Sequence, residues 1–239
     1  KKTFSIMCAS ACSLLLVSAI VIAVAYGESS CQHESKPTLS KCTGCPPKYN
    51  GLLCASTTRY TDLTRGACGC GQDPNPPNFW TKVDFTAALN CMYLDPTDPE
   101  NSWCPTNCGL CFKLCATGGT TNGQVPNATA SETCIVTQVT NRCGDGYKDP
   151  NEAQWCRQQM TPSGCEANLS ECSQMYMTNN YGYIAHFDLQ DVNNQIDRIG
   201  WDNVEVTFEP IDCSQGTFGN WQQTCVCPEQ KNNTAMTRR

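Results

Sequence analysis

Two aspartates in short strand-like segments are the residues of this chain best suited to acid/base chemistry. Asp62 ends the segment 57–62, and Asp188 lies near the end of the segment 183–189. Both segments are rich in β-branched or aromatic residues, which is typical of strands. Two carboxyls held in different surroundings can have different pKa values, so one can act as an acid while the other acts as a base near neutral pH.

The flanking residues predict different environments for the two carboxyls. Asp188 lies between Phe187 and Leu189, so partial desolvation is expected to raise the pKa of its carboxyl and keep the proton on. Asp62 is followed by the polar turn 63–66, which is expected to keep it ionised. An isolated aspartate is more often a turn or capping residue, and this alternative applies to each of them.

Alternation along a strand predicts which neighbours accompany each aspartate. Thr58 and Tyr60 should share the face of Asp62, whereas Arg59 should point away and form structural hydrogen bonds. Tyr60 could orient a base or pack across strands, and the Thr58 hydroxyl could serve the site or the backbone. His186 shares the face of Asp188 at about 7 Å between Cα atoms, and we expect it to position Asp188 rather than transfer protons.

The elements that must position these residues are predicted to be mainly strands. β-Branched and aromatic runs predict strands at 57–62, 109–115, 133–140, 181–189 and 203–211. Helical spacing of apolar residues predicts a helix over 83–93. Long loops at 95–108 and 143–180 are rich in Gly, Pro, Asn and Cys, and loops of that length need to be pinned.

The length of 239 residues favours one sizeable domain. Residues 1–27 begin with two lysines and continue into an apolar run that ends in small residues, which predicts a secretory signal peptide. The run is shorter than the about 20 residues that cross a bilayer, so a membrane span is the weaker alternative. Residues 28–228 are expected to form a single catalytic domain with a cysteine-containing arm at 28–50, and residues 229–239 a disordered tail.

The charge balance restricts the possible partners. Without residues 1–27 the chain keeps 14 basic and 22 acidic residues, a net charge of −8. Nucleic acids and anionic lipids require clustered lysine and arginine, which this chain lacks, so we expect neither nucleic acid nor a membrane as a partner. A neutral polymer is the more natural partner.

The cysteine content predicts a disulfide framework. Nineteen of the 21 cysteines lie beyond the predicted signal peptide, and an exported protein of this density is expected to form up to nine bridges. The odd count leaves one thiol over, with Cys31 or Cys91 as candidates. A zinc site over Cys104–Cys115 and a redox pair of Cys68 and Cys70 are the weaker alternatives, so no metal is expected. Three Asn-x-Ser/Thr sequons predict glycosylation at Asn127, Asn168 and Asn232.

Several motifs in the same order resemble those of glycoside hydrolase family 45. Segment 57–62 is similar to the first signature of that family, and His186-Phe187-Asp188-Leu189 is similar to the second. Further segments that resemble the animal branch of the family lie at 66–71, 103–111, 179–183 and 199–203. The resemblance covers roughly residues 41–228.

The resemblance implies a secreted endo-β-1,4-glucanase with an all-β fold: a six-stranded double-psi β-barrel with long disulfide-pinned loops and one or two short helices. It implies that Asp62 is the general base, that Asp188 is the general acid, and that the anomeric carbon is inverted. An inverting pair of carboxyls lies about 6.5–9.5 Å apart, leaving room for a water molecule. The expected substrate is cellulose or a related β-glucan, cleaved by a monomer without a cofactor in an extracellular setting such as a gut lumen or a cell wall.

Supporting residues follow from the resemblance and from the chemistry of sugars. Asn141 corresponds to a polar residue that could hold the water, although capping a loop is an equally good interpretation. Sugar rings stack on aromatic faces, and Trp80 is the best candidate for such a platform, whereas Trp201 is expected to pack under the barrel. Trp103, Trp155 and Trp221 are the other tryptophans, and most of the five are expected in the core.

Two other functions remain as alternatives. Expansins resemble the same barrel, with similar Gly-Ala-Cys-Gly and His-Phe-Asp motifs, and loosen wall polysaccharides without hydrolysing them. Expansin-like chains generally lack a base at the position of Asp62 and carry a second domain for which this chain has no room. A cysteine-stapled binding protein with a decayed site is the third possibility.

Overall fold

The computed structural model describes residues 39–44, 46–62, 64–71, 83–90, 93, 102–121, 133–144, 155–156 and 178–229. The predicted signal peptide, the three sequons, Trp80, Cys31, Cys91 and the end of the predicted tail lie outside these residues. Within the described residues, no helix is long and apolar enough to span a bilayer.

Strands make up most of the described structure. They are β1 (Lys48–Tyr49), β2 (Leu52–Tyr60), β3 (Thr86–Asn90), β4 (Cys111–Thr120), β5 (Cys134–Cys143), β6 (Ala185–Gln190) and β7 (Val204–Ile211). The helices are short: α1 (Gln195–Arg198), α2 (Trp221–Thr224), and 3-10 turns at Val192–Asn194 and Cys213–Gln215. The predicted class, mainly strands with one or two short helices, is confirmed.

Six of the strands close into a barrel. The order is β1-β2-β6-β3-β5-β4-β7, and β7 also pairs with β2, so strands β2 to β7 form a complete ring with β1 attached outside it. The pairs β2/β6 and β3/β5 are parallel, and the other pairs of the ring are antiparallel. Closure leaves no edge strand within the ring and fixes every register around it. The six-stranded barrel expected from the resemblance is confirmed.

Aromatic and aliphatic side chains fill the barrel. Phe112 and Phe187 are completely buried, and their rings meet edge to face with centroids 5.3 Å apart. Phe208 packs against both of them. Trp201 is 1% exposed in the same cluster, so the prediction that it packs under the barrel is confirmed.

The predicted helix over 83–93 is wrong where the structure describes it, because Thr86–Asn90 form strand β3. All five residues are buried, since Ala87 and Leu89 pack in the barrel core while Ala88, on the other face, packs with Cys143 and Cys156. A strand covered on both faces loses its polar alternation, and a short apolar run then cannot be distinguished from a helix by period alone.

Strand boundaries also differ from the predictions. Strand β2 begins five residues earlier than predicted, at Leu52, and ends at Tyr60, so Asp62 lies beyond the strand. Strand β6 begins only at Ala185, because residues 179–182 form a turn closed by a hydrogen bond from the Gly182 N–H to the Asn179 carbonyl. Gly182 has a φ of 87°, which favours glycine there.

Disulfides tie the loops to the barrel. The described residues contain seven: Cys42–Cys54, Cys68–Cys108, Cys70–Cys225, Cys104–Cys227, Cys111–Cys213, Cys115–Cys134 and Cys143–Cys156. Every cysteine of the alternative zinc site is in a disulfide, and Cys68 and Cys70 bond to different partners. The zinc and redox alternatives are therefore wrong, and the structural assignment is confirmed.

A buried carboxylate fastens the described end of the N-terminal arm. Glu205 on β7 is fully buried and accepts hydrogen bonds from the backbone N–H groups of Lys41 (2.8 Å) and Cys42 (3.2 Å). It also accepts from the hydroxyls of Ser40, Thr117 and Tyr183. Since burial of an unsatisfied carboxylate is costly, these donors account for its place in the barrel wall.

Candidate active site

The register of the barrel places four residues in one row across neighbouring strands. Thr58 on β2 pairs with Asp188 on β6, Asp188 pairs with Ala88 on β3, and Ala88 pairs with Asn141 on β5. Residues in register have side chains on the same face, and neighbouring strands lie about 4.8 Å apart. Within this row, Asp188 and Asn141 are thus separated by one small side chain, that of Ala88.

A β-bulge gives Asn141 its place in this row. Ala87 pairs with Val139, but the next residue, Ala88, pairs with Asn141, so Thr140 is the extra residue of β5. Val139 is completely buried in the core, and the bulge turns Asn141 toward the opposite face. Asn141 therefore reaches the row of Asp188 without removing Val139 from the core.

Asp188 is held by the strand beside it. Its side chain is largely buried, at 9% exposure, and the Thr58 Oγ1 hydroxyl donates to its Oδ1 at 2.6 Å. The same hydroxyl lies 3.0 Å from Nε2 of His186. His186 accompanies Asp188 as predicted, whereas Thr58, which was predicted to share the face of Asp62, contacts Asp188.

His186 lies beneath this group as a neutral side chain. It is 1% exposed, and burial lowers the pKa of its imidazole to about 3, with an interaction at the Ser56 backbone opposing only part of that shift. Its Nδ1 is 2.8 Å from the Ser56 Oγ, and its ring stacks on Trp155 with centroids 5.7 Å apart. A neutral imidazole with both nitrogens bonded orients a neighbour and does not exchange protons with solvent, in line with the positioning role expected for it.

A cavity of about 380 Å³ opens beside Asp188. It is lined by residues of β2, of β6, of the 155–156 segment and of the turn before β7: Thr58, Arg59, Tyr60, Trp155, Cys156, Asp188, Asp202 and Asn203. Such a cavity, with an aromatic side chain and a few convergent polar groups, is typical of a small-molecule or sugar subsite.

Asp62 lies apart from this cavity. It is exposed, follows the end of β2, and its Oδ1 accepts a hydrogen bond from the Thr64 N–H at 3.0 Å. It is not among the residues that line the Asp188 cavity. The contact with Thr64 is a local turn of the kind that an isolated aspartate forms, so the base assignment remains a prediction.

Tyr60 and Asn141 contact one another, with Nδ2 of the amide 3.4 Å from the phenol oxygen. Oδ1 of Asn141 accepts from the backbone N–H groups of Ala67 (2.7 Å) and Arg142 (2.8 Å). Those two donors fix the amide, so Asn141 presents its NH₂ group to Tyr60. The loop-binding role of Asn141 is therefore present in the structure, and toward the site it can act as a donor.

Arg59 has the structural bonds predicted for it and also lines the cavity. Its guanidinium pairs with Asp191 at 3.3 Å and with Asp197 at 2.9 Å. The sequence analysis missed Asp202 and Asn203 as cavity residues. They lie within the 199–203 motif, and the left-handed φ of 53° at Asn203 marks the turn that brings both to the cavity.

The tryptophans divide between core and surface. Trp221 is buried, and its Nε1 donates to the Cys227 carbonyl at 2.6 Å, whereas Trp103 is 47% exposed under the Arg65 guanidinium. Trp155 stacks on Tyr181 with centroids 3.9 Å apart and lines the cavity. Among the tryptophans the structure describes, Trp155 is therefore the one that lines the cavity at Asp188.

The sulfurs of Cys143 and Cys156 approach the His186 ring closely enough to resemble a metal site. These cysteines are bonded to each other, so neither offers a thiolate.

Comparison with known proteins agrees with the motifs and the barrel. A family profile described as "EXPB1-like domain 1" matches residues 55–223. An endoglucanase of Mytilus edulis is 39% identical over 175 residues, covering 72% of this chain and 86% of the relative. The chain belongs to glycoside hydrolase family 45. Endoglucanase-5 of Hypocrea jecorina is 33% identical over 180 residues, covering 74% of this chain but 63% of the relative.

Solved structures of family 45 endoglucanases share the fold. Cel45A of the blue mussel Mytilus edulis superimposes with a TM-score of 0.58 at 35% identity, covering 77% of this chain and 92% of that structure. A variant of the endoglucanase EG27II in complex with cellobiose gives a TM-score of 0.60 at 34% identity, covering 77% and 94%. The predicted animal-type family 45 barrel is confirmed by these relatives.

Proposed function

We propose that this family 45 protein is a secreted endo-β-1,4-glucanase that hydrolyses internal bonds of cellulose or a related β-glucan. The observation that carries the proposal is the position of Asp188: a largely buried carboxyl at the wall of a cavity, held by a hydroxyl donor and flanked by an aromatic ring. The relatives named above are endoglucanases, and one of them was solved with cellobiose, which supports a β-glucan as the substrate.

In this proposal Asp188 is the general acid. Its Oδ1 already accepts the Thr58 hydroxyl, so the proton for the leaving oxygen is carried on Oδ2. As the glycosidic bond breaks, Asp188 becomes a carboxylate. The hydrogen bond that it accepts from Thr58 then becomes stronger, because a bond to a charged acceptor is stronger than one to a neutral acceptor. Trp155 provides a stacking surface for a neighbouring sugar ring.

The second half of the reaction needs a base that activates water on the opposite face of the sugar. We assign this role to Asp62, with inversion at the anomeric carbon, and we expect about 6.5–9.5 Å between the two carboxyls in the substrate complex. Asn141 can help to hold the water through its NH₂ group, since its carbonyl oxygen is occupied by two backbone donors. Tyr60, in contact with that amide, has a supporting role in the same region.

The remaining expectations concern the setting of the enzyme. We propose secretion through the signal peptide 1–27, glycosylation at Asn127, Asn168 and Asn232, and action as a monomer without a metal or cofactor. Two carboxyls and a water molecule are sufficient for the reaction.

Expansin-like loosening without hydrolysis is the second candidate, and the match to "EXPB1-like domain 1" is the observation that favours it. The same barrel and the same Asp188 would then bind a glucan chain without cleaving it. The presence of Asp62 and the identity to endoglucanases support hydrolysis.

Release of reducing ends from carboxymethyl cellulose distinguishes these candidates. Wild type should release reducing ends, and both Asp188→Ala and Asp62→Ala should lose nearly all of this activity. Equal release by wild type and Asp188→Ala would contradict the acid assignment. Full activity in Asp62→Ala would remove the base role from that residue, and binding without any release by wild type would favour the expansin-like function.

A further inference from the structure

A second cavity, of about 420 Å³, lies on the outer face of strand β5. Val139 points into the barrel core, so its neighbour Gln138 points outward and lines this cavity. The bulge turns Asn141 to the same outer face, three residues farther along the strand. The second cavity and the Asp188 cavity have no described lining residue in common, so they are separate places on the barrel.

The amide of Gln138 is fixed with its oxygen unused. Gln138 is 2% exposed, and its Nε2 donates to the Gly109 carbonyl at 3.2 Å and lies 3.7 Å from Sγ of Cys213. Because a carbonyl can only accept, this end of the amide must be the NH₂ group. Among the described residues, no donor bonds to Oε1. Since buried polar groups in proteins are normally hydrogen-bonded, the amide presents an acceptor that a ligand in the cavity can use.

Gly109 brings a second acceptor to the same place. It has a φ of 84°, and a Cβ atom built there would lie 3.1 Å from Cγ of Glu229, so glycine allows the Glu229 stem to pack closely. Glu229 is half-buried, lines the cavity, and forms no hydrogen bond or ion pair with the described residues. The Gly109 carbonyl therefore holds Gln138 while its bare Cα receives Glu229.

The opposite wall is fixed before any ligand binds. Cys213 is tied to β4 by its disulfide with Cys111. Asp84 accepts from the Thr217 N–H at 2.9 Å through Oδ2, and its own N–H donates to the Thr217 carbonyl at 2.7 Å. Ser214 and Thr217 line the cavity as exposed residues, so their hydroxyls lie at its rim. A wall held in this way reduces the entropy that a ligand loses on binding.

The lining selects the class of ligand. The described lining residues include no lysine, arginine or histidine, so an anion would find no charged partner there. They offer a carboxylate, an amide oxygen and two hydroxyls, with the buried rings of Phe218 and Trp221 beside them. The volume falls within the range of small-molecule sites, about 300–1,000 Å³. A neutral sugar fits this lining, because its hydroxyls donate to the acceptors and its C–H groups contact the rings.

We propose that this cavity binds a sugar residue of the β-glucan chain at a place separate from the Asp188 cavity. Sugar hydroxyls donate to Gln138 Oε1 and to the Glu229 carboxylate, and the site helps to hold the polymer while another part of it lies at Asp188. The choice of a β-glucan rests on the proposed function, but binding here does not require hydrolysis.

Titration of cellobiose into ¹⁵N-labelled wild type tests the site directly. The backbone amide signals of Gly216 and Gly219, which line the second cavity, should shift. They should follow a binding curve separate from that of signals near Asp188, and they should remain in Trp155→Ala. Absence of these shifts, or their loss together with the Asp188 signals in Trp155→Ala, would overturn the proposal.

Two variants locate the binding in the cavity. Ser214→Arg should abolish the Gly219 shift, because the long side chain starts at the rim and its guanidinium can pair with Glu229. Gln215→Arg is the matched control, since Gln215 is exposed in the same 3-10 turn but does not line the cavity, and it should bind as wild type does. Equal binding by these two variants would contradict the proposal.

Glu229→Gln tests the carboxylate without changing the shape of the side chain. It should weaken cellobiose binding at Gly219 about 10-fold, because a charged acceptor is replaced by a neutral one. Unchanged affinity would remove Glu229 from the site and contradict the proposal. Calcium chloride and methylammonium chloride are the competing probes, and a shift at Gly219 with either salt but not with cellobiose would show a cation site instead.

Kinetics test whether the cavity helps to hold the polymer. Ser214→Arg should raise KM for a long soluble β-glucan about 10-fold and leave kcat and the KM for cellotriose unchanged, because only a long chain can reach both cavities. An unchanged KM for the polymer would overturn this role. The outcomes remain distinguishable: shifts at Gly219 in a protein that releases no reducing ends would refute the proposed function alone, and hydrolysis without those shifts would refute this inference alone.

Discussion

Replacing Thr58 with valine should slow hydrolysis and at the same time extend activity to higher pH. The substitution keeps the shape of the side chain but removes the hydroxyl that donates to Asp188 Oδ1 at 2.6 Å. That hydrogen bond stabilises the ionised carboxyl, so its loss raises the pKa of Asp188. An acid with a higher pKa keeps its proton to higher pH. The alkaline limb of the kcat profile, where activity is lost as the acid ionises, should therefore shift to higher pH.

The size of both effects follows from the strength of one hydrogen bond to a charged acceptor. Such a bond contributes about 1.5–3 kcal/mol. Since about 1.4 kcal/mol corresponds to one pKa unit or to a tenfold change in rate, the limb should rise by about 1–2 pH units. The plateau of kcat should fall about 10-fold to 100-fold, because the carboxylate forms as the bond breaks. Loss of the hydroxyl beside the buried Nε2 of His186 should also lower stability by about 1–3 kcal/mol.

Kinetics of a defined cello-oligosaccharide between pH 4 and 9 would measure the effect, with Thr57→Val as the matched control. The Thr57 hydroxyl donates to a neutral carbonyl at 2.7 Å, so the control should lose only about 1 kcal/mol of stability and keep the wild-type limb. A shift of the alkaline limb to lower pH in Thr58→Val, or an equal shift in both variants, would refute the reasoning.

Three further predictions concern stability and binding. Burial lowers the pKa of His186 in the folded state to about 3. The contribution of the neutral imidazole to stability should therefore be complete above pH 6.5 and decline toward pH 3, by about 1.4 kcal/mol per pH unit. Urea unfolding of wild type and His186→Gln should show this slope only in wild type. Glu205→Gln should lower the free energy of unfolding by about 1.5–3 kcal/mol, because the charge-assisted hydrogen bonds from Lys41 and Cys42 of the N-terminal arm are lost. An unchanged urea midpoint would contradict this prediction. Trp155→Ala should raise KM for cello-oligosaccharides by about 5-fold to 150-fold, since sugar–aromatic stacking contributes about 1–3 kcal/mol by analogy with base stacking. An unchanged KM would exclude Trp155 from the subsite.

The sequence predicted the local part of the site well. Strand alternation and the second motif predicted that His186 and Asp188 share a face, and they do, because β6 is a regular strand that pairs with β2. The cysteine count predicted disulfides over zinc, and this was correct for every cysteine that the structure describes.

The parts that failed depend on contacts between distant segments. Residues 86–90 form a strand because they pair with β5 and β6 and because distant segments cover both faces, which no local pattern records. The bulge at Thr140 turns Asn141 to the site only through pairing with β3.

The most direct test of the account is the dependence of Asp188→Ala on the leaving group. A general acid is needed when the leaving oxygen is a sugar alcohol but not when it is a good leaving group such as 2,4-dinitrophenolate. The account predicts that the variant loses about 100-fold or more of kcat on cello-oligosaccharides, within the range of general acid catalysis, but retains most of its activity on a 2,4-dinitrophenyl β-cello-oligosaccharide. An equal loss on both substrates would contradict the assignment of Asp188 as the proton donor.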